Sequence, residues 1–205
     1  GGKYRTATSA KDCFTGYCLK KFCDPYRNRF DDGGERNKMI RVLLSMIRLA
    51  DVYLMYAESV AQSYGYKASS QAFNLSAVDA VNIVRNRAHV DNIADEYLTN
   101  LDGFMSELRR ERAVELMFEN HRWWDIRRWM ILEETFKDTY PIKGALFTPR
   151  ESNHGSITDK STLTYDYEQI DITPEVRSFT KKNYWYPLPQ HDVDALNNLQ
   201  QNPYW

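Results

Sequence analysis

Four glutamates, Glu107, Glu111, Glu115 and Glu119, recur every four residues, and Arg109, Arg110, Arg112, Arg122, Arg127 and Arg128 lie among and after them. Asp125 and three tryptophans, Trp123, Trp124 and Trp129, close the run. Carboxylates at this density suggest two chemistries. A metal site in a helical bundle needs a Glu-x-x-His on one face. Phe118 follows Glu115 at three, and Arg122 follows Glu119, so the histidine is missing. A glycosidase needs two acids flanking a scissile bond, and acids one turn apart on one helix are poorly placed for that. The third reading is pairing at i,i+3: Glu107 with Arg110, Arg112 with Glu115, Glu119 with Arg122. Such ion pairs would orient two packed helices. The stretch is too charged for an ordinary core helix and too aromatic for an ordinary surface.

Other reactive side chains form no pattern. His89, His121, His154 and His191 are scattered, and His121 reads as a capping or packing residue in a turn. Cys13, Cys18 and Cys23 are spaced by five, with no C-x-x-C and no histidine nearby, which argues against zinc. Free thiols or one bridge both remain open. There is no H-E-x-x-H, G-x-S-x-G, phosphate loop or G-x-G-x-x-G. No catalytic motif is present, and the residues call for no cofactor and no metal. A net charge of −1 gives no bulk attraction to nucleic acid or anionic lipid. Aromatics reach 14%, with 14 Tyr and 5 Trp, which serves recognition or helix packing.

The 205 residues fit one domain, or two small ones. Residues 1–45 are a mixed opening segment, loop-like from Asp24 to Asn37. Residues 46–132 form a helical centre. Met46–Tyr64 reads as a helix with Ile47, Ala50, Leu54, Ala57 and Ala61 on one face, ended by Gly65. Ser76–Ala88 reads as a second helix with Ala77, Val81, Val84 and Ala88 inward. A third runs from about Asp102, its candidate N-cap, to Phe118. Leu108, Val114, Leu116, Met117 and Phe118 form its apolar side. Asn120 offers a left-handed break, and a fourth helix would carry Trp123 to Leu132, with aromatic packing between the arms. Two helical hairpins, 46–88 and 102–132, predict tetratricopeptide-like stacking, although no repeat consensus is met. Residues 133–182 read as irregular, which in a compact domain is often functional. Residues 183–205 close the chain with proline punctuation. The run contains no transmembrane stretch and no signal peptide. Its start at Gly-Gly-Lys reads as a processed or cloned boundary of a longer parent.

Several of these segments, in order, resemble the C-terminal part of SusD/RagB-type proteins, the nutrient-binding outer-membrane lipoproteins of Bacteroidota. Thr15–Phe22 (TGYCLKKF) is similar to the family's GY-x-L-x-K strand. Ile47–Glu58 (IRLADVYLMYAE) resembles its RLADVYLMYAEA helix. Val81–Ala88 (VNIVRNRA) resembles N-x-I/V-R-x-RA. Glu111–Trp129 is similar to ER-x-x-EL-x-FE-x-x-R-x-x-D-L-R-R-W. The pair Tyr186–Gln190 and Gln201–Trp205 resembles PIP…QNPGW. Asn120 and His121 stand where a Gly is common, and Tyr204 replaces a usual Gly.

The resemblance implies a mainly α fold of tetratricopeptide-like hairpins with loop-rich additions. It implies non-catalytic capture of a glycan or other nutrient at the cell surface, and handover to a SusC-like TonB-dependent transporter. Family members are longer, so the N-terminal half of the same protein is an expected partner and would carry the lipid anchor. Binding sites in the family lie in variable loops, so no site residue transfers by motif. Physical chemistry still ranks candidates, because sugars stack their C–H faces on exposed rings. Tyr26 with Arg27 and Asn28 is one candidate group, and Tyr140, Phe147, Tyr165 and Tyr167 are another. A helical-repeat scaffold that binds only protein stays as the alternative. A glycoside hydrolase is disfavoured because no plausible carboxylate pair is present.

Overall fold

The structure, a computed structural model, describes residues 17, 21–22, 45–136, 143–153, 158, 162–171 and 179–205. The chain divides into two compact units. One is Leu43–Ile126, and the other joins Gly1–Val42 with Arg127–Trp205.

The first unit is helical: α1 (Leu49–Tyr64), α2 (Ala77–Arg87), a 3-10 turn at Asp95–Leu98, and α3 (Leu101–Glu115). Ala50, Leu54, Ala57, Val60 and Ala61 of α1 meet Ala77, Ala80, Val81 and Val84 of α2 and Phe104, Met105 and Leu108 of α3. The alanines let the helix axes approach, and Leu54, Phe104 and Leu108 fill the space between them. Burying each such large side chain contributes about 1.5–3 kcal/mol. Tyr66 stacks on Phe104 with ring centres 5.6 Å apart, and its hydroxyl donates to the Leu98 carbonyl.

The helix ends differ from expectation for local reasons. α1 begins at Leu49, because Arg48 holds an extended backbone at the cap and sends its side chain to α3. Met46 and Ile47 lie outside the helix, and Ile47 is exposed rather than on the core face. Gly65 ends α1 at φ 99° as anticipated. Ser76 caps α2 by accepting from the Asp79 amide at 3.0 Å, and Ala88 falls at the C-cap, exposed instead of inward. Asn100, not Asp102, caps α3, its Oδ1 accepting from the Gly103 amide at 2.8 Å. α3 stops at Glu115; Val114 within it and Met117 and Phe118 beyond it are exposed, and only Leu108 and Leu116 of the expected apolar side are buried. A turn closed by Glu119 N–H to the Leu116 carbonyl places Phe118 at φ 63°, and Asn120 follows at φ 67°. The left-handed Asn120 matches the sequence reading. The Phe118 turn was not legible, since a bulky residue disfavours φ > 0.

α4 spans Arg122–Arg128, and the boundary between the units falls within it. The fourth helix expected to reach Leu132 is therefore shorter. Met130 at φ 57° stops it, and α5 (Leu132–Thr135) is a separate turn. Trp123 and Trp129 are partly buried and Trp124 is half exposed.

In the second unit, β1 (Lys143–Pro149) and β2 (Tyr165–Asp171) pair antiparallel, with Phe147 opposite Tyr167 and Pro149 opposite Tyr165. The stretch read as irregular thus carries an ordered two-stranded sheet. The alternation Tyr-Asp-Tyr-Glu-Gln-Ile-Asp over residues 165–171 has the period of two that a strand needs. A 3-10 turn at Lys181–Tyr184, closed by a Thr180/Asn183 capping box, leads to α6 (Gln190–Ala195). The Thr15–Phe22 strand lies mostly outside the described residues, and Lys21 and Phe22 sit in a turn. The three cysteines lie outside them too. Among the described residues no helix is long and apolar enough to cross a membrane.

Candidate functional site

The arginine–carboxylate cluster is a set of interlocked pairs. Arg112 on α3 donates to Asp51 of α1 at 3.0 Å and to both oxygens of Asp125 on α4 at 2.9 and 3.3 Å, with all three side chains buried. Arg85 on α2 reaches Glu107 at 3.0 Å and Glu111 at 2.9 Å. Arg48 holds Glu115 at 2.6 Å and Glu119 at 2.7 Å, and Arg87 also reaches Glu115. Of the three local pairs expected, only Glu107–Arg110 forms. Arg112 turns instead to Asp51 and Asp125, and Glu119 to Arg48.

The electrostatics follow from these contacts. The Arg110 hydrogen bond holds the Glu107 carboxyl below its usual range, against the opposing effect of burial. Burial pushes Glu111 the other way, above its usual range, despite Arg85. Arg122 is lowered by burial, with Asp125 opposing. A guanidinium lies on each carboxylate of this cluster. Among the described residues no group of three or more His, Cys, Asp or Glu could hold a metal ion. The geometry is that of a helix clamp.

The aromatic candidates sit elsewhere, in the second unit. Tyr26, Arg27, Asn28 and Tyr140 lie outside the described residues. Phe147, Tyr165 and Tyr167 are brought together by the β1–β2 register. Opposite residues point to one face of a sheet, so Phe147 and Tyr167 share a face with Tyr165 and Pro149. The Phe147 and Tyr167 rings lie 5.5 Å apart, tilted by 46°. Tyr167 is 56% exposed. Its hydroxyl lies 3.2 Å from that of Tyr17, also exposed, and this hydrogen bond pushes the Tyr167 phenol above its ordinary value. Arg150 pairs with Asp166 on the neighbouring strand positions, and Lys143 with Asp171 at the sheet end. The Lys143–Asp171 pair shares the ring face, whereas Asp166 lies on the other one.

Tyr17 was missed as a member of this group. It was read only as part of a strand motif, and 150 residues separate it from Tyr167. The closing segment was read as proline punctuation and as a motif resembling PIP…QNPGW, without its cross-links. There the Gln201 side chain accepts from the Leu188 amide and donates to its carbonyl, while Asn202 donates to the Tyr186 carbonyl. Arg127 donates to the Tyr184 carbonyl at 2.6 Å and lies 4.1 Å from the centre of the Tyr186 ring.

Helices clamped by ion pairs, together with a two-stranded sheet that carries aromatic side chains, define a mainly helical protein. The SusD family model matches residues 3–205, and the chain belongs to that family. Among solved structures it is similar to a SusD-like protein from Bacteroides fragilis NCTC 9343, with 21% identity and a TM-score of 0.58. That match covers 79% of this chain and 26% of the other, so the chain spans about a quarter of that protein's length and shares its mainly helical fold. No curated protein matches the chain.

Proposed function

We propose that this chain forms part of a non-catalytic receptor that binds an oligosaccharide, or a nutrient of similar chemistry, at the outer-membrane surface. It would hand the ligand to a SusC-like TonB-dependent transporter. Membership of the SusD family supports a binding role. The observation that carries the reading to the residues is the Phe147–Tyr167–Tyr17 group, two rings on a sheet and a third joined through its hydroxyl, with half-exposed phenols. Rings fixed by a strand ladder are ordered before the ligand arrives, so stacking loses little to ordering. The arginine clamp supports the non-catalytic part, since its carboxylates are engaged as acceptors.

Calorimetry of the protein against a panel of soluble oligosaccharides tests this. Binding should weaken by about tenfold when Tyr165 and Tyr167 are both changed to Ala, for two ring contacts of roughly 0.5–1.5 kcal/mol each. The thermal midpoint should barely move. Tyr26→Ala tests the other candidate group in the same assay. Sugar binding unaffected by all of these substitutions would remove both candidate groups from the site.

A further inference from the structure

Helix α1 is uncharged on the side it turns to solvent. Its core face meets α2 and α3 through Ala50, Leu54, Ala57, Val60 and Ala61. From Leu49 to Ser63 its exposed residues are Leu49, Val52, Met55, Ser59, Gln62 and Ser63. Its charged residues lie elsewhere: Asp51 is buried against Arg112, and Glu58 is partly buried. The solvent sides of the neighbouring helices differ. α2 exposes Asp79 and Arg87, and α3 exposes Asp102 and Arg110. A helix on a globular surface keeps charged residues opposite its core face, whereas one apolar on both sides is covered on both.

This side of α1 has the form of a helix seat. Leu49, Val52 and Met55 are spaced by three, so they form one ridge. Ser59 and Ser63 prolong the same side as small residues, which lets a second helix come close. Met46 and Ile47, ahead of the helix, are also exposed. Arg48, which follows them, is fixed on Glu115 and Glu119 at the end of α3. Between those two glutamates in sequence, Phe118 is exposed at φ 63°. The apolar side thus continues from α1 toward the end of α3.

We propose that this side of α1 seats an amphipathic helix of the same polypeptide, from sequence that lies outside these 205 residues. The length of the matched SusD-like chain supports that occupant, since the match takes in 26% of it and leaves the larger part outside. The lack of charge on the seat supports a permanent neighbour. Lasting interfaces resemble a core cut in half, whereas those that form and part are about as polar as the rest of the surface. A second copy of this chain fits less well. Two apolar turns of helix offer less than the roughly 800 Å² that each partner of a stable interface buries. A helix tethered in the same chain needs less area, because its effective concentration is high.

Methionine oxidation reads the seat directly. Met55 on the seat is 41% exposed, and Met105 in the core is 4% exposed. Dilute hydrogen peroxide, followed by peptide mass spectrometry, is applied to these 205 residues and to the complete gene product that contains them. Oxidation follows exposure, so Met55 should react at least about fivefold more slowly in the complete product, with Met105 slow in both. An equal Met55 rate in the two proteins overturns the proposal. So does a Met55 rate in the 205-residue chain that falls as its concentration rises, since the occupant would then be a second copy. Should the shorter chain aggregate, Val52→Glu with Met55→Glu in the complete product is read instead. A melting temperature lower by about 5 °C or more supports the seat, because the new charges would be buried against the seated helix. An unchanged melting temperature overturns it, since exposed positions tolerate such changes. Neither readout involves a sugar, so the binding reading stands or falls separately.

Discussion

Arg112 is 4% exposed and spans three helices, donating to Asp51 on α1 and Asp125 on α4 from its own place on α3. Removing one partner of a buried ion pair leaves uncompensated charge and costs about 3–5 kcal/mol. Arg112→Ala should therefore unfold the chain or lower its stability by that amount in denaturant titration. A loss under about 1 kcal/mol, the size of an exposed pair, would mean the triad is hydrated. Glu107 and Glu111 share Arg85 but respond to pH in opposite senses. The folded pKa of Glu107 is depressed, so its contribution is present above its unfolded value of 4.5 and is lost as pH falls through the folded value. Glu111 is raised, so its folded environment favours the protonated form, and that contribution is lost as pH rises through the folded value. Glu107→Gln should thus lower stability at pH 7 and flatten its acid loss, while Glu111→Gln should be neutral or stabilising at pH 7. Chemical denaturation at pH 4 and pH 7 distinguishes them, and a large loss at pH 7 for Glu111→Gln would contradict the burial argument. That these residues pair was legible from their types and spacing. Their partners were not, because Asp51 lies 61 residues from Arg112 and only the helix packing brings them together.

Helices α1 and α2 were legible because alanines, valines and leucine repeat at helical spacing and Gly65 and Ser76 mark an end and a start. Their exact limits depended on side chains that leave the helix, such as Arg48. The α3 start illustrates the same point. Asn100 takes the Gly103 amide, and a Cβ on Gly103 would come within 2.8 Å of the Tyr97 carbonyl oxygen. Asn100→Ala should lower stability by about 1 kcal/mol, and Gly103→Ala by about 1–3 kcal/mol because the Tyr97 backbone must move. Thermal melts of the two variants check this. A Gly103→Ala protein more stable than its parent would show that helix propensity outweighs the close approach. The β1–β2 sheet escaped the sequence reading because β1 (Lys-Gly-Ala-Leu-Phe-Thr-Pro) lacks alternation, and pairing alone defines it. Its register nonetheless brings Phe147, Tyr165 and Tyr167, named on chemical grounds, to one face.

At the level of the protein, the family was legible in the ordered motifs, and the family match over residues 3–205 agrees. The binding site was legible only as chemistry, rings among polar loops, because ligand contacts carry no fixed spacing. The rings of the β1–β2 sheet are the proposed place where a sugar would stack. The central claim is binding without turnover. It is tested most directly by calorimetry of the protein with an oligosaccharide panel, followed by analysis of the same samples for cleaved sugar. The account predicts saturable heat for at least one oligosaccharide, weakened about tenfold by Tyr165→Ala with Tyr167→Ala, and sugar recovered intact. Hydrolysis products that vanish on substitution of a single Glu or Asp would contradict it.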